Sequence, residues 1–329
     1  LSQSLTITGV AFLASSALVP LLVRFAAGRR ILDMPNLRSS HEVPTPRLGG
    51  IAIVCGCWLG VAAGAAVYGT ELSRTLWPLL VAATVVALAG LADDLRGLHL
   101  GPRAAAQALA AAVLLLSYPP PMLAQLDGAA RYALLALGVF WVVGLVNAFN
   151  FMDGIDGIVG GVALVSLAFV AVLVGGYGVF FALAGGVAGF LLWNVNPASI
   201  FLGDVGSYFV GFVLAAGVLY LPVPEAGAWL GVVVCAAIFA PFLLDTTYTL
   251  LSRLRAGKNV LSAHREHIYQ RISPTTGMHR RTSALYYGAS VVAGLAALMM
   301  LGGHLLLGLL LVAALCVGLL GLPRLFGES

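Results

Sequence analysis

Six carboxylates crowd into or against the ends of long apolar runs: Asp93, Asp94, Asp153, Asp156, Asp204 and Asp245. Acids at membrane depth are costly, so they are read first as functional groups. Asp93 and Asp94, adjacent in "GLADDLRGL", repel one another and call for a cation or a proton. Their plainer reading is a pair of solvated acids at a helix end. Asp204 in "FLGDVGSYFVG" and Asp156 each stand at the start of an apolar run, where a helix N-cap is the simpler account. Asn147, Asn150, Asp153 and Asp156 are spaced by three in "NAFNFMDGIDG". A strict α-helix would wind them halfway round, whereas Gly154 and Gly157 favour a bent, unwound segment that gathers oxygen ligands. Carboxylates with Asn carbonyls, and no Cys cluster, suit a hard cation such as Mg²⁺. Mg²⁺ usually works with a phosphate, and a basic loop could hold one. From Arg253 to Arg281 the chain carries seven Arg or Lys, three His and one Glu. There His264 and His267 flank Arg265, with Arg271 close by, a mix of imidazole and guanidinium that suits a diphosphate. A topology signal or an anionic-lipid contact is the alternative for this loop. It is not the zinc-protease pattern, and neither a Walker A motif nor a dinucleotide fingerprint occurs.

The elements that position these groups are membrane helices. The chain has 329 residues, 60% hydrophobic and 9% charged, with a mean hydropathy of +1.01. A soluble domain carries about a quarter charged residues, so the expectation is an all-α polytopic membrane protein. About eleven apolar runs, with ten as the alternative, fall near 4–26, 49–69, 75–92, 104–117, 132–149, 158–174, 179–193, 206–222, 228–249, 284–301 and 303–321. The breaks at 175–178 and 301–303 read as tight helical hairpins. Numbering the gaps alternately places 27–48, 93–103, 150–157, 194–205, 250–283 and the tail on one side. That side takes 15 of the 17 basic residues, all but Arg74 and Arg131. The positive-inside rule makes it cytoplasmic, with the N-terminus outside and the C-terminus inside. Cys55, Cys57, Cys235 and Cys316 lie in apolar runs without zinc or redox spacing and read as packing residues. No cleavable signal is expected, because the first run leads into further spans.

"LRSSHEVPTPRLGG", "GLADDLRGL", "NAFNFMDGIDG", "FLGDVGS" and "SAHREHIYQR" follow in that order on the same side. Together, over about residues 30–275, they resemble the polyprenyl-phosphate N-acetylhexosamine-1-phosphate transferase superfamily. The resemblance implies a single transmembrane transferase domain over 1–329, with 250–283 a large basic loop within it. It implies transfer of a sugar-1-phosphate from a UDP-sugar to undecaprenyl phosphate, with release of UMP and with Mg²⁺ or Mn²⁺. It assigns Asp204, with Asn150 as a second ligand, to the metal. Asp93, Asp94, Asp153, Asp156 and His264 go to catalysis. Phe201 stacks on uracil, and Arg265, His267, Asn147 and Arg103 join the substrate-binding set. The lipid I synthases of this superfamily carry a triple-His motif, from which "AHREH" departs. The resemblance therefore points to the branch that primes lipopolysaccharide O-chains, in the bacterial inner membrane with a cytoplasmic active site. A homodimer is left open, and nucleic acid is no expected partner. The rival readings are a transporter for an anionic solute, a lipid I synthase-type enzyme, and a lipid-binding scaffold. A transporter would hold its charges near the midplane, between repeats; here they crowd one face and no repeat is evident.

Overall fold

A computed structural model of the chain describes residues 2–35, 43–69, 76–124, 127–174, 178–220, 228–260, 262, 264–273 and 276–326. The first half of "LRSSHEVPTPRLGG", the break at 175–177, and the outer loops 70–74 and 223–227 lie outside the described residues.

Every apolar run becomes helix, as backbone without water requires. The helices are α1 Ser2–Arg29, α2 Gly49–Tyr68, α3 Leu76–Arg96, α4 Leu100–Ser117, α5 Pro121–Ala124, α6 Gly128–Phe151 and α7 Ile158–Val174. They continue with α8 Gly178–Asn194, α9 Gly203–Gly217, α10 Ala228–Ile238, α11 Ala240–Arg255, α12 Ile268–Arg271, α13 His279–Leu301 and α14 Leu305–Leu325. One antiparallel hairpin pairs β1 (Leu32–Asp33) with β2 (Thr45–Pro46), Leu32 facing Pro46.

By length and apolarity eight of the described helices can cross a bilayer, or nine when α10 and α11 count as one bent span. The expected eleven is therefore not reached by this measure, for two reasons. Helices α7 and α8 have 17 residues each, about 25 Å at 1.5 Å per residue, short of the hydrocarbon core. The run at 228–249 turns by 80° between Ile238 and Ala240, next to Pro241 in the first turn of α11, where proline is tolerated but the preceding helix cannot continue. The break after Leu301 is a tight turn as expected: the Gly302 and His304 amides bond back to the Leu298 and Met299 carbonyls, and Gly303 takes φ 88°.

Helix α9 is the axis. Val205–Gly217 are all buried, and α3, α6 and α2 pack around it. The crossing with α2 is backbone to backbone: a Cβ on Gly50 would lie 2.2 Å from Gly206 Cα. Helix α8 packs on α1 and α2, and α13 on α14 and α7. Leucines of α14 such as Leu306 face outward, as they would toward lipid. Cys57 and Cys235 are buried and Cys55 and Cys316 half-buried, all free thiols.

The loops assigned to one side of the membrane meet at one end of this bundle. Pro46 accepts from the Phe201 amide at 2.7 Å, and the Gly49 and Gly50 amides bond to Phe201 and Leu202 carbonyls. Arg47 donates to the Asp94 carbonyl at 2.6 Å, and Tyr269 to the Phe151 carbonyl at 3.0 Å. That convergence is what the alternating count of loops anticipated.

Candidate active site

The site begins where α3 ends. Asp94 spends its carboxylate on the N-terminus of α9: Oδ1 accepts the Asp204 amide at 3.1 Å and Oδ2 the Val205 amide at 3.1 Å. An anion on free helix amides is favourable on both hydrogen-bonding and dipole grounds. Thus α9 is capped from another helix rather than by Asp204, and Asp94 ties the end of α3 to the start of α9. Gly203 permits this approach. It takes φ 73°, and a Cβ there would lie 2.5 Å from the Arg47 carbonyl and 2.8 Å from Asp94 Oδ2.

Asp204 is freed by that arrangement to point into the cluster. Its Oδ1 accepts from Asn150 Nδ2 at 2.6 Å, and Asn150 also reaches Ser207 Oγ at 3.1 Å. The carboxyl of Asp93 lies within hydrogen-bond reach of that of Asp204. Asp93 is itself tied by the Leu98 amide at 2.6 Å and by Arg103 at 2.8 Å. So Asp93, Asp204, Asn150 and Arg103 are brought together, at the junction of α3, α4, α6 and α9.

The stripe spaced by three does not gather as expected. Helix α6 runs on through Phe151, and Asn147 turns into the bundle, donating to Gln107 of α4 at 2.7 Å. It packs helices and does not reach the acids. The chain then unwinds over 152–157, as the glycines suggested. Asp156 is occupied by protein: Asn196 at 2.8 Å, the Ala198 amide at 3.2 Å and His279 at 3.4 Å. Burial works to raise its pKa, but these partners prevail and hold it below the usual carboxylate range. It fastens the 194–200 loop and α13 to the unwound segment.

Asp153 remains with no hydrogen bond to its carboxyl among the described residues. Burial, with the Asp94 and Asp156 charges, pushes its pKa up to about 8. An unfolded Asp ionises near about 3.9. Between those values the folded protein keeps a proton that the unfolded chain has lost, so Asp153 makes stability fall as pH rises through the window, then level off. Melting in detergent without divalent cations should therefore show the wild type losing more stability than Asp153→Asn between roughly pH 5 and 8. Parallel profiles would show that the proton is not held there.

The histidine loop docks on this unwound segment. The His267 ring lies 6.0 Å from that of Phe151 and stacks on His264 at 5.0 Å. Burial, then the neighbouring His267 and Arg253, lowers His264 to about 4. It is a neutral imidazole whose Nδ1 is buried without a partner. Arg253, buried on α11, holds the base of the loop through Glu266, the Asn259 carbonyl and Ser262. Lys258 bridges to Glu266 at 3.2 Å; desolvation works to raise the Glu266 pKa, but Lys258 and Arg253 together prevail and hold it low.

The residue that organises the loop had no role in the sequence reading. Asp245, fully buried on α11, accepts from His267 Nδ1 at 3.0 Å, the Ile268 and Tyr269 amides at 2.9 and 3.0 Å, Tyr286 at 2.5 Å and Thr249 at 3.3 Å. An acid five residues into an apolar helix was the available signal; its partners beyond Thr249, 22 to 41 residues onward, were not.

Phe201 is half-buried, three residues before Asp204, its backbone clamped between Pro46 and Gly49. Among the described residues no three His, Cys, Asp or Glu side chains form a closed metal cage. Mg²⁺ needs none: one or two carboxylates with substrate phosphates suffice. The neighbouring carboxyls of Asp93 and Asp204, with the Asn150 side chain beside them, fit such an ion.

Residues 76–221 match the model of glycosyl transferase family 4. The chain is 26% identical to a Bacillus subtilis protein named as a probable undecaprenyl-phosphate N-acetylglucosaminyl 1-phosphate transferase, over 94% of this chain and 88% of that one. It is 31% identical to the decaprenyl-phosphate N-acetylglucosaminephosphotransferase of Mycobacterium leprae, over 77% and 72%. With the phospho-N-acetylmuramoyl-pentapeptide-transferase of Symbiobacterium thermophilum it shares 30% identity over 92% and 95%. The chain belongs to glycosyl transferase family 4. It is a multi-pass membrane enzyme, and its family-4 relatives named here are all transferases, which leaves the transporter and scaffold readings without support.

Proposed function

We propose that this protein transfers N-acetylglucosamine 1-phosphate from a UDP-sugar to undecaprenyl phosphate, releasing UMP, at the cytoplasmic face of the inner membrane. The observation that carries the reading is the meeting of Asp93, Asp204 and Asn150 beside a docked histidine loop, in a family whose named relatives move hexosamine phosphates onto polyprenyl phosphates. The product would prime an envelope polysaccharide such as an O-chain.

In this reaction an oxygen of the lipid phosphate bonds to the sugar-linked phosphorus, and the bond from that phosphorus to the bridging oxygen breaks, so that UMP leaves with the oxygen. Phosphate monoesters have a second pKa near about 6, so the acceptor is already largely dianionic and Asp93 need not act as a base. The chief cost is bringing two anions together, and positioning with charge stabilisation lowers it. Asp204, with Asn150 and Asp93, would hold Mg²⁺ or Mn²⁺, which supplies positive charge against the phosphates. Asp94 sets the α9 N-terminus, and with it Asp204. Asp245 sets His267, and the histidine loop with Arg265 faces the diphosphate of the donor.

Phe201 stacks on the uracil in this reading. Base stacking is worth roughly 1–3 kcal/mol, about tenfold to a hundredfold in affinity. Phe201→Ala should raise KM for the UDP-sugar by that factor and leave the lipid's KM unchanged, while Phe201→Tyr retains part of the activity. A change confined to the lipid's KM would move Phe201 to the acceptor groove. The reading as a whole is tested with purified protein, Mg²⁺, undecaprenyl phosphate, and UDP-N-acetylglucosamine or UDP-N-acetylmuramyl-pentapeptide in turn. Release of UMP that requires the lipid, prefers the first donor and stops with EDTA is expected; release independent of the lipid would overturn it.

A further inference from the structure

Two buried hydrogen-bond donors beside the acid cluster lack an acceptor. Tyr208 is fully buried on α9, and its hydroxyl donates no hydrogen bond. Arg103 Nε is also buried and unpartnered, although Nη1 is held by Asp93 at 2.8 Å. The two residues stand together: the guanidinium lies 5.9 Å from the Tyr208 ring centroid and within reach of the phenol oxygen, which can accept from it and leaves the phenol's own proton without an acceptor. Tyr208 follows Asp204 by four residues, so both lie on one face of α9, a turn apart. A ring alone would satisfy the packing, as the neighbouring Phe209 and Phe212, both fully buried, show. The hydroxyl is therefore surplus to the fold, and buried phenols ordinarily find a partner.

Paired donors without an acceptor, at the edge of a cluster built for phosphates, fit an anionic oxygen. The transferase reading, on which this inference rests, offers two sources, the donor's diphosphate and the acceptor's phosphate monoester. The histidine loop packs on Phe151, and its short helix α12 on α11 and α14, whereas α4 packs on α3 and α6. Arg103 instead stands on α4, whose Leu109 and Val113 are exposed on the outer face of the bundle, where lipid lies. An anion whose tail stays in the bilayer comes from that flank. We propose that Tyr208 Oη and Arg103 donate hydrogen bonds to the phosphate of the polyprenyl acceptor, making Tyr208 a binding residue for the lipid headgroup. In the resting protein Arg103 neutralises Asp93; the arriving phosphate gives it a second anion to hold.

Tyr208→Phe removes the hydroxyl and keeps the ring. UMP release is measured with undecaprenyl phosphate varied at saturating UDP-sugar, then with the UDP-sugar varied at saturating lipid. A hydrogen bond to a charged group corresponds to about tenfold or more, so KM for the lipid should rise by about tenfold while KM for the UDP-sugar and the melting temperature stay put. Unchanged values for both substrates, or a rise confined to the UDP-sugar, would overturn the proposal. Arg103→Lys, which keeps the charge and loses Nε, should raise the same KM and carries the test if Tyr208→Phe does not fold. If the wild type releases no UMP, the transferase reading fails on its own. Undecaprenyl phosphate retention by native mass spectrometry then decides: weaker retention by Tyr208→Phe supports the headgroup site, and equal retention overturns it.

Discussion

Asp204→Asn should abolish sugar-phosphate transfer, by about a thousandfold, the scale seen when a preorganised charge-stabilising group is removed, and leave the protein folded. The substitution keeps the shape of the side chain and a hydrogen-bonding contact with Asn150, which reaches Asp204 at 2.6 Å. What it removes is a carboxylate beside Asp93 and Asp94. Crowded like charges oppose folding, so losing one should hold the melting temperature steady or raise it. The same loss strips the cation site of its central anion. Initial rates across a Mg²⁺ series, with melting curves of the same preparations, check both halves. Near-wild-type turnover at limiting Mg²⁺ would remove Asp204 from the cation site.

Asp245→Ala should act in the opposite way, through the fold. Five donors converge on that one buried carboxylate, from His267, Ile268, Tyr269, Tyr286 and Thr249. Removing it leaves buried amides, an imidazole and a phenol without acceptors, and truncating one partner of a buried charged network costs about 3–5 kcal/mol. The loop should come away from α11 and unfold, letting trypsin cleave after Arg255, Lys258 and Arg265, and transfer should fail with it. Melting and limited proteolysis read this directly. A variant as stable and as protease-resistant as the wild type would show that these hydrogen bonds do not hold the loop.

The contrast between these acids shows what is legible in the sequence. Composition and apolar runs announce the helices, because lipid leaves the backbone no alternative. The charge asymmetry announces which loops meet, and the structure brings them to one end. Span lengths are harder: α7 and α8 are apolar but short, and α10 and α11 read as one run until the 80° turn after Ile238. Hardest are the partners. Asn147, Asn150, Asp153 and Asp156 look equivalent at a spacing of three, yet Asn147 meets Gln107, Asn150 meets Asp204, and Asp156 meets Asn196 and His279. Each partner lies 40 or more residues away, beyond any local periodicity. Asp94 is similar: the sequence shows it only as the neighbour of Asp93, and its bonds to the amides of α9, 110 and 111 residues onward, are not legible there.

The bond that breaks is the central claim, and one labelled substrate tests it. UDP-N-acetylglucosamine carrying ³²P in the sugar-linked phosphate is incubated with the purified enzyme, undecaprenyl phosphate and Mg²⁺, and the lipid is extracted. Transfer of sugar with its phosphate places the label in the lipid phase and leaves unlabelled UMP in the water. Label that stays in the water as UDP, while the sugar enters the lipid, would mean that the sugar alone moves and would contradict the account.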